Sequence, residues 1–593
     1  MENKNLKSGE FLVEEVPADK VFIPEEFDEE QLMIKQTCAD FLETEIYPVH
    51  DRIDNMEEGL MPSLVKKAGE LGLLGVAVSE EYEGFGQSFV TQMLACDILG
   101  AGYSFAVAYS ADTGIGTLPI MYYGNDEQRR KYIPKLASGE YLGSYCLTEP
   151  GAGSDANSGK TKAVLSEDGK FYVLNGQKMW ITNAGFADIF TVFAKIDNDR
   201  CLSAFIVERT FPGIIFNPEE KKMGIKGSST RQIFFNDCKV PVENLLGKRG
   251  EGFRIALSIL HMGRIKLGAN VLGACKKAIN ESVAYANERK QFGQLISSFG
   301  AIKYKLAQQV IKTFVIESAV YRVSNDVDDA IARNKATGMD DGRATIEGIS
   351  HYAVEAAILK VYGSESLDYV VDESVQIFGG MGYSAETMVE KSYRDSRINR
   401  IFEGTNEINR MLVVDTALKR AMKGDFDLFG EAQKIADELP KLQETDITGL
   451  DYYSEKLAYI RNFKKAILLV INKASETFGR KLPYEQEILF NISDMIMELY
   501  IAESTLLRVQ KLEGIRGAES VNLYKDILDV TVYDTASIVQ KSGKDALCSF
   551  AAGDQLGLLL DGLDILTKVA GVNVKDARRR IADNMIEENK YTL

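Results

Sequence analysis

Segments rich in strand-forming residues occur in only one part of this chain, and this restriction limits the fold more than any other feature of the sequence. Three runs rich in β-branched and aromatic residues lie near the middle: Phe171 to Thr182, Asp188 to Ile196 and Leu202 to Glu208. Turn signals accompany them: Asp168-Gly169, Asn175-Gly176 and Asp197-Asn198-Asp199. Asp-Gly predicts a tight hairpin, and Asn-Gly predicts a tight turn or a bulge. The stretch 145–250 is therefore predicted to be an antiparallel β domain.

Helical patterns flank this β domain on both sides. A doubly wound dinucleotide-binding fold would alternate strands and helices along the chain, and this sequence does not. Its 593 residues are too many for a single core. We predict a multidomain, mainly α protein with a middle antiparallel β domain. Its parts are an N-terminal arm at 1–29, a helical domain at 30–144, the β domain at 145–250, a helical bundle at 251–423 and a C-terminal helical extension at 424–593.

The extension carries one apolar stripe with spacings of three and four residues. Its members are Ile492, Met495, Ile496, Leu499, Ala502, Leu506 and Val509. A buried bundle face and a helix lying on a membrane both fit this pattern, and the buried face is favoured. The longest clearly apolar run of the tail, Ala466 to Ile471, is too short to span a bilayer. The acidic stretch Met1 to Asp19 resembles neither a secretory signal nor a transit peptide. We expect a soluble, bacterial-like cytoplasmic protein without a transmembrane segment, with peripheral membrane contact left open.

The net charge, the spacing of the cysteines and the small number of histidines limit the functions that this chain can have. The net charge of -18 argues against binding to nucleic acid, which needs a basic face. The seven cysteines form no CxxC pair, so we expect reduced thiols and no metal site. Only three histidines are present, namely His50, His261 and His351. An acid–base step near neutral pH is therefore expected to use a carboxylate whose environment tunes its pKa.

Three separated stretches carry candidate functional residues. The loop Tyr145 to Asp155 ends a strand-like run in Pro, Gly and Ser, which suits polar ring edges but is equally a plain turn. Trp180, the only tryptophan, stands near Thr182 at a strand end; taken alone it is more typical of a core than of a cofactor wall. Glu403, between Phe402 and Gly404, is either a solvated carboxylate at a helix start or a base in an apolar site. Taken alone, its residues favour the first interpretation.

In combination, these stretches resemble those of the acyl-CoA dehydrogenase family. The order Thr148-Glu149-Pro150-Gly151-Ala152-Gly153-Ser154-Asp155, Trp180-Ile181-Thr182-Asn183 and Phe402-Glu403-Gly404-Thr405-Asn406-Glu407 is specific, and the resemblance covers about residues 30–420. The extension resembles that of the long subfamily that includes very-long-chain acyl-CoA dehydrogenases. The resemblance implies a helical domain, a β-barrel, a four-helix bundle and an extra C-terminal helical domain.

The resemblance also implies roles for individual residues. Glu403 would be the catalytic base and FAD the cofactor. The expected FAD contacts are Tyr145, Leu147, Thr148, Gly153, Ser154, Trp180, Ile181, Thr182, Arg289, Gln291, Phe292, Gln376, Gly379, Gly380, Thr405 and Glu407. Among these, Arg289 to Phe292 and Gln376 to Gly380 would reach the FAD of a neighbouring subunit. The expected substrate contacts are Ser154, Arg264, Phe402 and Gly404.

The activity implied is oxidation of a saturated acyl-CoA to trans-2-enoyl-CoA in fatty acid β-oxidation. Some relatives carry the base one residue before the counterpart of Arg264; here that residue is Gly263, which leaves Glu403 as the base. The small residues Val107, Ala108 and Ala111 favour a deep pocket and a long acyl chain. The resemblance further implies an electron-transfer flavoprotein as acceptor and a homo-oligomer, with a dimer favoured. The alternatives are an acyl-CoA oxidase and a scaffold protein that acts through its extension.

Overall fold

The N-terminal domain is helical, as predicted. The computed structural model describes residues 6–593. The helices of this domain are α1 Glu29–Phe41, α2 His50–Asp54, α3 Leu60–Glu70, α4 Phe89–Leu99, α5 Ser104–Ser110, α6 Leu118–Tyr123 and α7 Asp126–Ser138. A π-helical segment, Ala111–Gly116, follows α5. Segments of this kind often lie at functional sites, and this one borders the cavity described below.

The middle domain is one curved sheet of eight strands. Their bounds are β1 Gly143–Cys146, β2 Lys162–Leu165, β3 Phe171–Thr182, β4 Ile189–Ile196, β5 Ser203–Glu208, β6 Ile214–Phe216, β7 Thr230–Pro241 and β8 Leu245–Leu246. The order β6-β7-β3-β2-β4-β5-β8 is an open path, with β1 paired to β4. Most pairs are antiparallel, whereas β1 and β2 run parallel to β4. The strands enclose a common core that includes Leu174, Phe190, Phe205 and Phe235.

Asp168-Gly169 and Asn175-Gly176 form the hairpin turn and the bulge that the sequence predicts. Asp168-Gly169 lies in the loop of the β2–β3 hairpin, whose strands pair antiparallel. The register of β3 against β7 shifts between Leu174 and Gly176, so Asn175-Gly176 marks a bulge. A Cβ atom at Gly176 would lie 2.5 Å from the Oγ1 atom of Thr161, which explains why glycine stands there.

Long helices form the bundle that follows. Its elements are α8 Gly252–Glu288, the two short strands β9 Lys290–Gln291 and β10 Gln294–Leu295, α9 Gly300–Ala336, α10 Asp341–His351, α11 Ala353–Phe378, α12 Met388–Ser396 and α13 Asn406–Met422. Among the described residues, α8 alone is long and apolar enough to cross a membrane by length and composition. The apolar window of α8 is 72% buried inside the protein, as is typical of a core helix.

The extension is a second helical layer packed on the bundle. Its helices are α14 Leu428–Glu438, α15 Tyr452–Phe478, α16 Gln486–Arg516, α17 Asn522–Phe550, α18 Gly553–Leu566 and α19 Val574–Glu588. Every residue of the predicted apolar stripe is buried on α16, so the stripe is a bundle face. Arg322 of α9 pairs with Glu503 of α16 at 2.9 Å, and both side chains are buried.

The described part of the N-terminal arm, residues 6–29, is irregular but firmly packed. Residues 1–5 lie outside the described residues. Phe11 and Leu12 are buried in the same core as the bundle and the extension. The Oγ atom of Ser8 donates to Glu355 of α11 at 2.5 Å, and Arg508 of α16 pairs with Glu25 at 2.9 Å. The arm thus joins the bundle to the extension.

Candidate active site

Glu403 lies in a tight turn immediately before α13. Glu403 has φ +59° and Gly404 has φ +84°, so two consecutive residues adopt the left-handed region. That conformation costs a non-glycine residue roughly 1–3 kcal/mol and is typical of functional sites. The turn ends at Thr405, whose Oγ1 atom accepts a hydrogen bond from the N–H of Ile408 and caps the helix. Thr405 and Glu407 were both predicted to contact FAD. Thr405 ends this turn, and the exposed Glu407 lies in the first turn of α13.

Side chains from two helices hold the carbonyl groups of this turn. Arg264 of α8 donates through Nε to the carbonyl oxygen of Glu403 at 3.2 Å. The Nδ2 atom of Asn409 donates to the carbonyls of Gly404 at 2.8 Å and Thr405 at 3.0 Å. Within residues 6–593, the backbone N–H of Glu403 donates no hydrogen bond. The turn therefore keeps one oriented backbone donor available beside its carboxylate.

The carboxylate of Glu403 lies in a dry environment. Its Oε2 atom is buried and has no hydrogen-bond partner among the described residues. Burial raises the pKa of Glu403, and the positive charges of Arg264 and Lys360 oppose that rise. A carboxylate kept without hydrogen bonds and with a raised pKa has the properties of a general base.

Gly263 makes room for this carboxylate. A Cβ atom at Gly263 would lie 2.7 Å from Oε2 and 3.1 Å from the carboxyl carbon of Glu403. The position that carries the base in some relatives is therefore adjacent in space to Glu403, although the two residues are on different elements. This chain has one carboxylate at the shared location.

Arg264 and His261 lie next to each other behind the base. Arg264 was predicted to contact the substrate; the structure places its buried guanidinium on the backbone of Glu403. Its Nη1 atom lies 3.3 Å from Nδ1 of His261. Burial, together with the charge of Arg264, lowers the pKa of His261 to about 3, so this imidazole stays neutral near neutral pH.

Lys360 of α11 is a site residue that sequence reasoning missed. Its side chain is buried, and Nζ donates to Oδ1 of Asn406 at 2.7 Å. Burial lowers the pKa of Lys360 to about 7, and the negative charge of Glu403 opposes that shift. The Nδ2 atom of Asn406 also donates to Glu365 at 2.9 Å. Lys360 therefore supports the start of α13 and contributes positive charge near the base.

Glu403 opens onto one large cavity between the N-terminal domain and the bundle. The cavity measures about 1210 Å³ with its open mouth included, and its wall is mainly apolar. Thr182 of β3 and Phe402 border the same space as Glu403. Of the three small residues predicted to line an acyl pocket, Val107 and Ala111 do so. Ala108 is buried elsewhere, and its carbonyl accepts a hydrogen bond from Asn183.

One face of α8 forms a long side of this cavity. Its lining residues follow helical spacing: Ile259, Met262, Gly263, Lys266, Leu267, Asn270, Val271, Ala274 and Lys277. Lys277 follows Gly263 by about 14 residues, which is roughly 21 Å along the helix axis at about 1.5 Å per residue. The cavity is therefore deep enough for an extended chain.

The loop Tyr145 to Asp155, which was predicted to contact FAD, is folded by a buried ion pair. Lys178 of β3 pairs with Glu149 at 2.7 Å and also donates to the carbonyl of Leu147 at 3.1 Å. Tyr145 and Leu147 are buried, whereas Thr148 is partly accessible. Gly153 and Ser154 are exposed at the tip, and a Cβ atom at Gly153 would meet nothing within 4 Å. The loop presents an accessible backbone on a rigid base.

Trp180 stands out from the end of β3 instead of joining the core. Its side chain is 51% exposed, and its φ of +60° lies in a register shift between Lys178 and Ile181. This register shift is a bulge, so Trp180 and Thr182 do not follow the regular side-to-side alternation of a strand. Ile181 is buried, and Thr182 faces the cavity. The exposed indole is available to cover a flat ring next to the cavity.

The remaining predicted FAD contacts form a separate, exposed group. Arg289, Gln291 and Phe292 follow α8, and Phe292 is 93% exposed. Gln376, Gly379 and Gly380 lie at the end of α11, and stacking of Tyr285 on Phe378 at 4.0 Å brings the two helix ends together. Arg289 follows Gly263 by about 26 residues, or roughly 39 Å along α8 at about 1.5 Å per residue. This group therefore lies far along the bundle from the turn that carries Glu403.

Fold and site together define a class of protein. It is an enzyme with a helical domain, a β domain and a helical bundle, in which a buried carboxylate opens onto a deep apolar cavity. Comparison with known proteins agrees. The models for the N-terminal, middle and C-terminal domains of acyl-CoA dehydrogenase match residues 28–140, 144–238 and 250–418. A further model, also described as an acyl-CoA dehydrogenase C-terminal domain, matches residues 462–564.

Individual relatives extend this agreement over the whole chain. A probable acyl-CoA dehydrogenase of Bacillus subtilis (strain 168) is 44% identical over 99% of this chain and 98% of its own length. The mitochondrial very long-chain specific acyl-CoA dehydrogenase of Homo sapiens is 39% identical, over 72% of this chain and 64% of its own length. The crystal structure of an acyl-CoA dehydrogenase complexed with FAD from Bacillus anthracis has a TM-score of 0.96 and 44% identity, covering 99% of this chain and 100% of that one. The chain belongs to the acyl-CoA dehydrogenase family.

Proposed function

We propose that this protein is an FAD-dependent acyl-CoA dehydrogenase that converts a saturated, long-chain acyl-CoA to the trans-2-enoyl-CoA in fatty acid β-oxidation. The observation that carries the proposal is the buried, unpartnered Oε2 atom of Glu403, which opens onto a cavity shared with Thr182.

Glu403 takes the proton from carbon two of the acyl chain. The raised pKa that burial gives this carboxylate makes it a better proton acceptor than an exposed glutamate. Arg264 and Lys360 keep the ionised form accessible because their positive charges lower the same pKa. Phe402 and the apolar wall exclude water, which strengthens these electrostatic interactions.

The backbone N–H of Glu403 is the protein's candidate donor to the thioester oxygen. That oxygen gains negative charge as the proton leaves, and an oriented donor stabilises it in the transition state. Arg264 and Asn409 hold the carbonyl groups of the turn, which fixes the direction of this N–H. One strained turn thus supplies both the base and an oxyanion donor.

The residues at the end of β3 suit a bound FAD. Trp180 is exposed and free to lie against a flat ring, and Thr182 provides a hydroxyl inside the cavity. The loop around Thr148, with its exposed glycine, leaves room for the polar edge of that ring. When bound, FAD accepts the hydride that leaves carbon three. We further propose that electron-transfer flavoprotein reoxidises the enzyme.

The distant group around Arg289 supports a homo-oligomer that shares its cofactors. A guanidinium fork matches a pyrophosphate, and the glycines after α11 permit close backbone approach. Because this group is roughly 39 Å along α8 from Gly263, it would serve the FAD of a second copy. We propose a dimer, and sedimentation of the FAD-loaded protein as a monomer would contradict it.

The depth of the cavity supports a long acyl chain. A saturated chain advances roughly 1.3 Å per carbon, given C–C bonds of about 1.5 Å and near-tetrahedral angles. The roughly 21 Å between Gly263 and Lys277 along α8 then corresponds to about 16 carbons beyond the base. Chains of this size should fill the cavity, whereas short chains should leave much of it empty.

A chain-length series with a dye as electron acceptor tests the function. We expect kcat/KM to rise toward chains of about 16 carbons, as the cavity depth suggests. Glu403→Gln should keep bound FAD, seen by its absorbance, and lose turnover by at least about 10²-fold. Glu438→Gln, at an exposed carboxylate of α14, is the matched control and should retain turnover. Normal turnover in Glu403→Gln would refute the assignment, and rapid peroxide formation in air would favour an oxidase instead.

A further inference from the structure

Three polar side chains interrupt the mainly apolar wall of the cavity partway along its depth. They are Ser110 at the end of α5, and Lys266 and Asn270 of α8, and all three line the cavity. Lys266 and Asn270 are about one helical turn apart and share one face of α8. Asn270 follows Gly263 by about seven residues, or roughly 10 Å along the helix axis at about 1.5 Å per residue. We call these three residues the mid-cavity cluster.

Ser110 and Asn270 hold each other but do not use all of their hydrogen-bonding capacity. The Nδ2 atom of Asn270 donates to Oγ of Ser110 at 2.9 Å. Within residues 6–593, the hydroxyl of Ser110 has no other partner. The Oδ1 atom of Asn270 is buried and also has no hydrogen-bond partner in that part of the chain. The pair therefore keeps one hydroxyl hydrogen and one amide oxygen unused.

Lys266 adds a weakly engaged donor to the cluster. Its side chain is buried, and its Nζ atom reaches the carbonyl oxygen of Thr113 at 3.3 Å and Oγ1 of the same residue at 3.4 Å. It forms no ion pair with any residue that the structure describes. Gly114 also lines the cavity, and a Cβ atom there would lie 3.6 Å from Nζ. The missing side chain at Gly114 thus leaves the amino group of Lys266 uncovered on that side.

A plain alkyl chain would leave the mid-cavity cluster unsatisfied. The chain displaces water from the cavity and offers no hydrogen bond in return, and buried polar groups without partners are costly. A hydroxyl group can accept a hydrogen bond from Lys266 or Ser110 and donate one to Oδ1 of Asn270. A keto oxygen can only accept, so it would leave the amide oxygen without a donor. A hydroxyl is therefore the better match.

We propose that the mid-cavity cluster binds a hydroxyl group on the middle of a long acyl chain, so that mid-chain hydroxyacyl-CoA thioesters are substrates and Asn270 determines this specificity. The proposal rests on the proposed function, because it concerns the same acyl chain in the same cavity. At roughly 1.3 Å per carbon, the roughly 10 Å between Gly263 and Asn270 corresponds to about eight carbons beyond carbon two. The preferred hydroxyl then lies near carbon ten.

A positional series of substrates tests the site without any variant. The FAD-loaded protein is assayed with a dye acceptor on octadecanoyl-CoA and on its derivatives hydroxylated at carbon six, ten or fourteen. The hydroxyl at carbon ten should raise kcat/KM or leave it within about threefold of the plain chain, since its hydrogen bonds to the protein offset its dehydration. It should exceed the other two positions by about fivefold or more. Equal values at the three positions, or a maximum at another carbon, would overturn the proposal.

Asn270→Leu identifies the residue, because leucine has a similar size and no polar atoms. The ratio of kcat/KM for 10-hydroxyoctadecanoyl-CoA to that for octadecanoyl-CoA should fall by about tenfold, the scale of the hydrogen bonds lost. Asn491→Leu on α16 is the matched control, since Asn491 is also partly buried but does not line the cavity, and it should leave the ratio unchanged. An unchanged ratio in Asn270→Leu would overturn the role given to Asn270.

The outcomes separate this proposal from the proposed function. Failure of every acyl-CoA to reduce the dye would refute the dehydrogenase activity itself. Turnover of octadecanoyl-CoA without a preference for the hydroxyl at carbon ten would refute the mid-cavity site alone. A higher kcat/KM for 10-oxooctadecanoyl-CoA than for the 10-hydroxy substrate would also refute it, because a group that only accepts hydrogen bonds would then be the better match.

Discussion

At the scale of single residues, the charge of Lys360 should set the pH at which the enzyme becomes active. Burial raises the pKa of Glu403, and Arg264 and Lys360 lower it. Since the base must be ionised, kcat/KM should rise with pH through the pKa of Glu403 in the free enzyme. Lys360→Met removes one of the two opposing charges, so that pKa rises and the acidic limb of the profile moves to higher pH. A pH profile of kcat/KM measures this shift directly.

Lys266→Met provides the control for that prediction. Lys266 is also buried and lines the cavity, but its charge is not among those that act on Glu403. Its removal should leave the position of the acidic limb unchanged even if the rate changes. An unshifted limb in Lys360→Met, with FAD still bound, would contradict the role given to its charge.

The family resemblance pointed to Glu403 as the candidate base and to Arg264 as a site residue, but not to Lys360, the second charge that acts on Glu403. The roles of Glu403, Phe402 and Thr182 were predicted from the resemblance that their motifs carry, and all three border one cavity. Lys360 was not predicted as a site residue, because its role depends on contacts with Asn406 and on the charge of Glu403, and both residues are distant in sequence. Nothing in the residues around Lys360 distinguishes it from an ordinary helical lysine.

At the scale of elements, the contact of α8 with the base turn depends on the absence of one side chain. A Cβ atom at Gly263 would lie 2.7 Å from Oε2 of Glu403, so Gly263→Ala should displace the carboxylate. Misplacement of about 1 Å can cost about 10²-fold in rate. Alanine in a helix interior favours folding by up to about 1 kcal/mol over glycine. We therefore expect kcat to fall by about 10²-fold without a lower unfolding temperature.

Gly514→Ala on α16 is the comparison, because a Cβ atom there would meet nothing within 4 Å. It should share the helix-stabilising effect and leave kcat unchanged. If Gly263→Ala retained full kcat, the carboxylate would not need the space that Gly263 leaves, and the geometry assigned to the base would be wrong.

Elements with local signals were predicted well, whereas elements defined by distant partners were not. The bounds of β3 and the bulge at Asn175-Gly176 follow from residue types. The parallel pairing of β1 and β2 with β4 does not follow from residue types, because it depends on how the chain returns through the sheet. The left-handed φ of Trp180 likewise comes from a register shift that no local sequence pattern predicts.

At the scale of the whole molecule, buried ion pairs should make the extension unfold together with the bundle. Glu503 of α16 pairs with Arg322 at 2.9 Å and Lys464 at 2.6 Å, all buried. Glu503→Gln leaves both cations without that partner, which should cost roughly 3–5 kcal/mol. Urea unfolding followed by helix content and by FAD release should show both transitions moving to lower urea together. Glu444→Gln, which breaks the exposed pair with Lys568, should cost no more than about 1 kcal/mol. If FAD release kept its midpoint while part of the helix signal was lost early, the extension would be an independent unit and this prediction would be wrong.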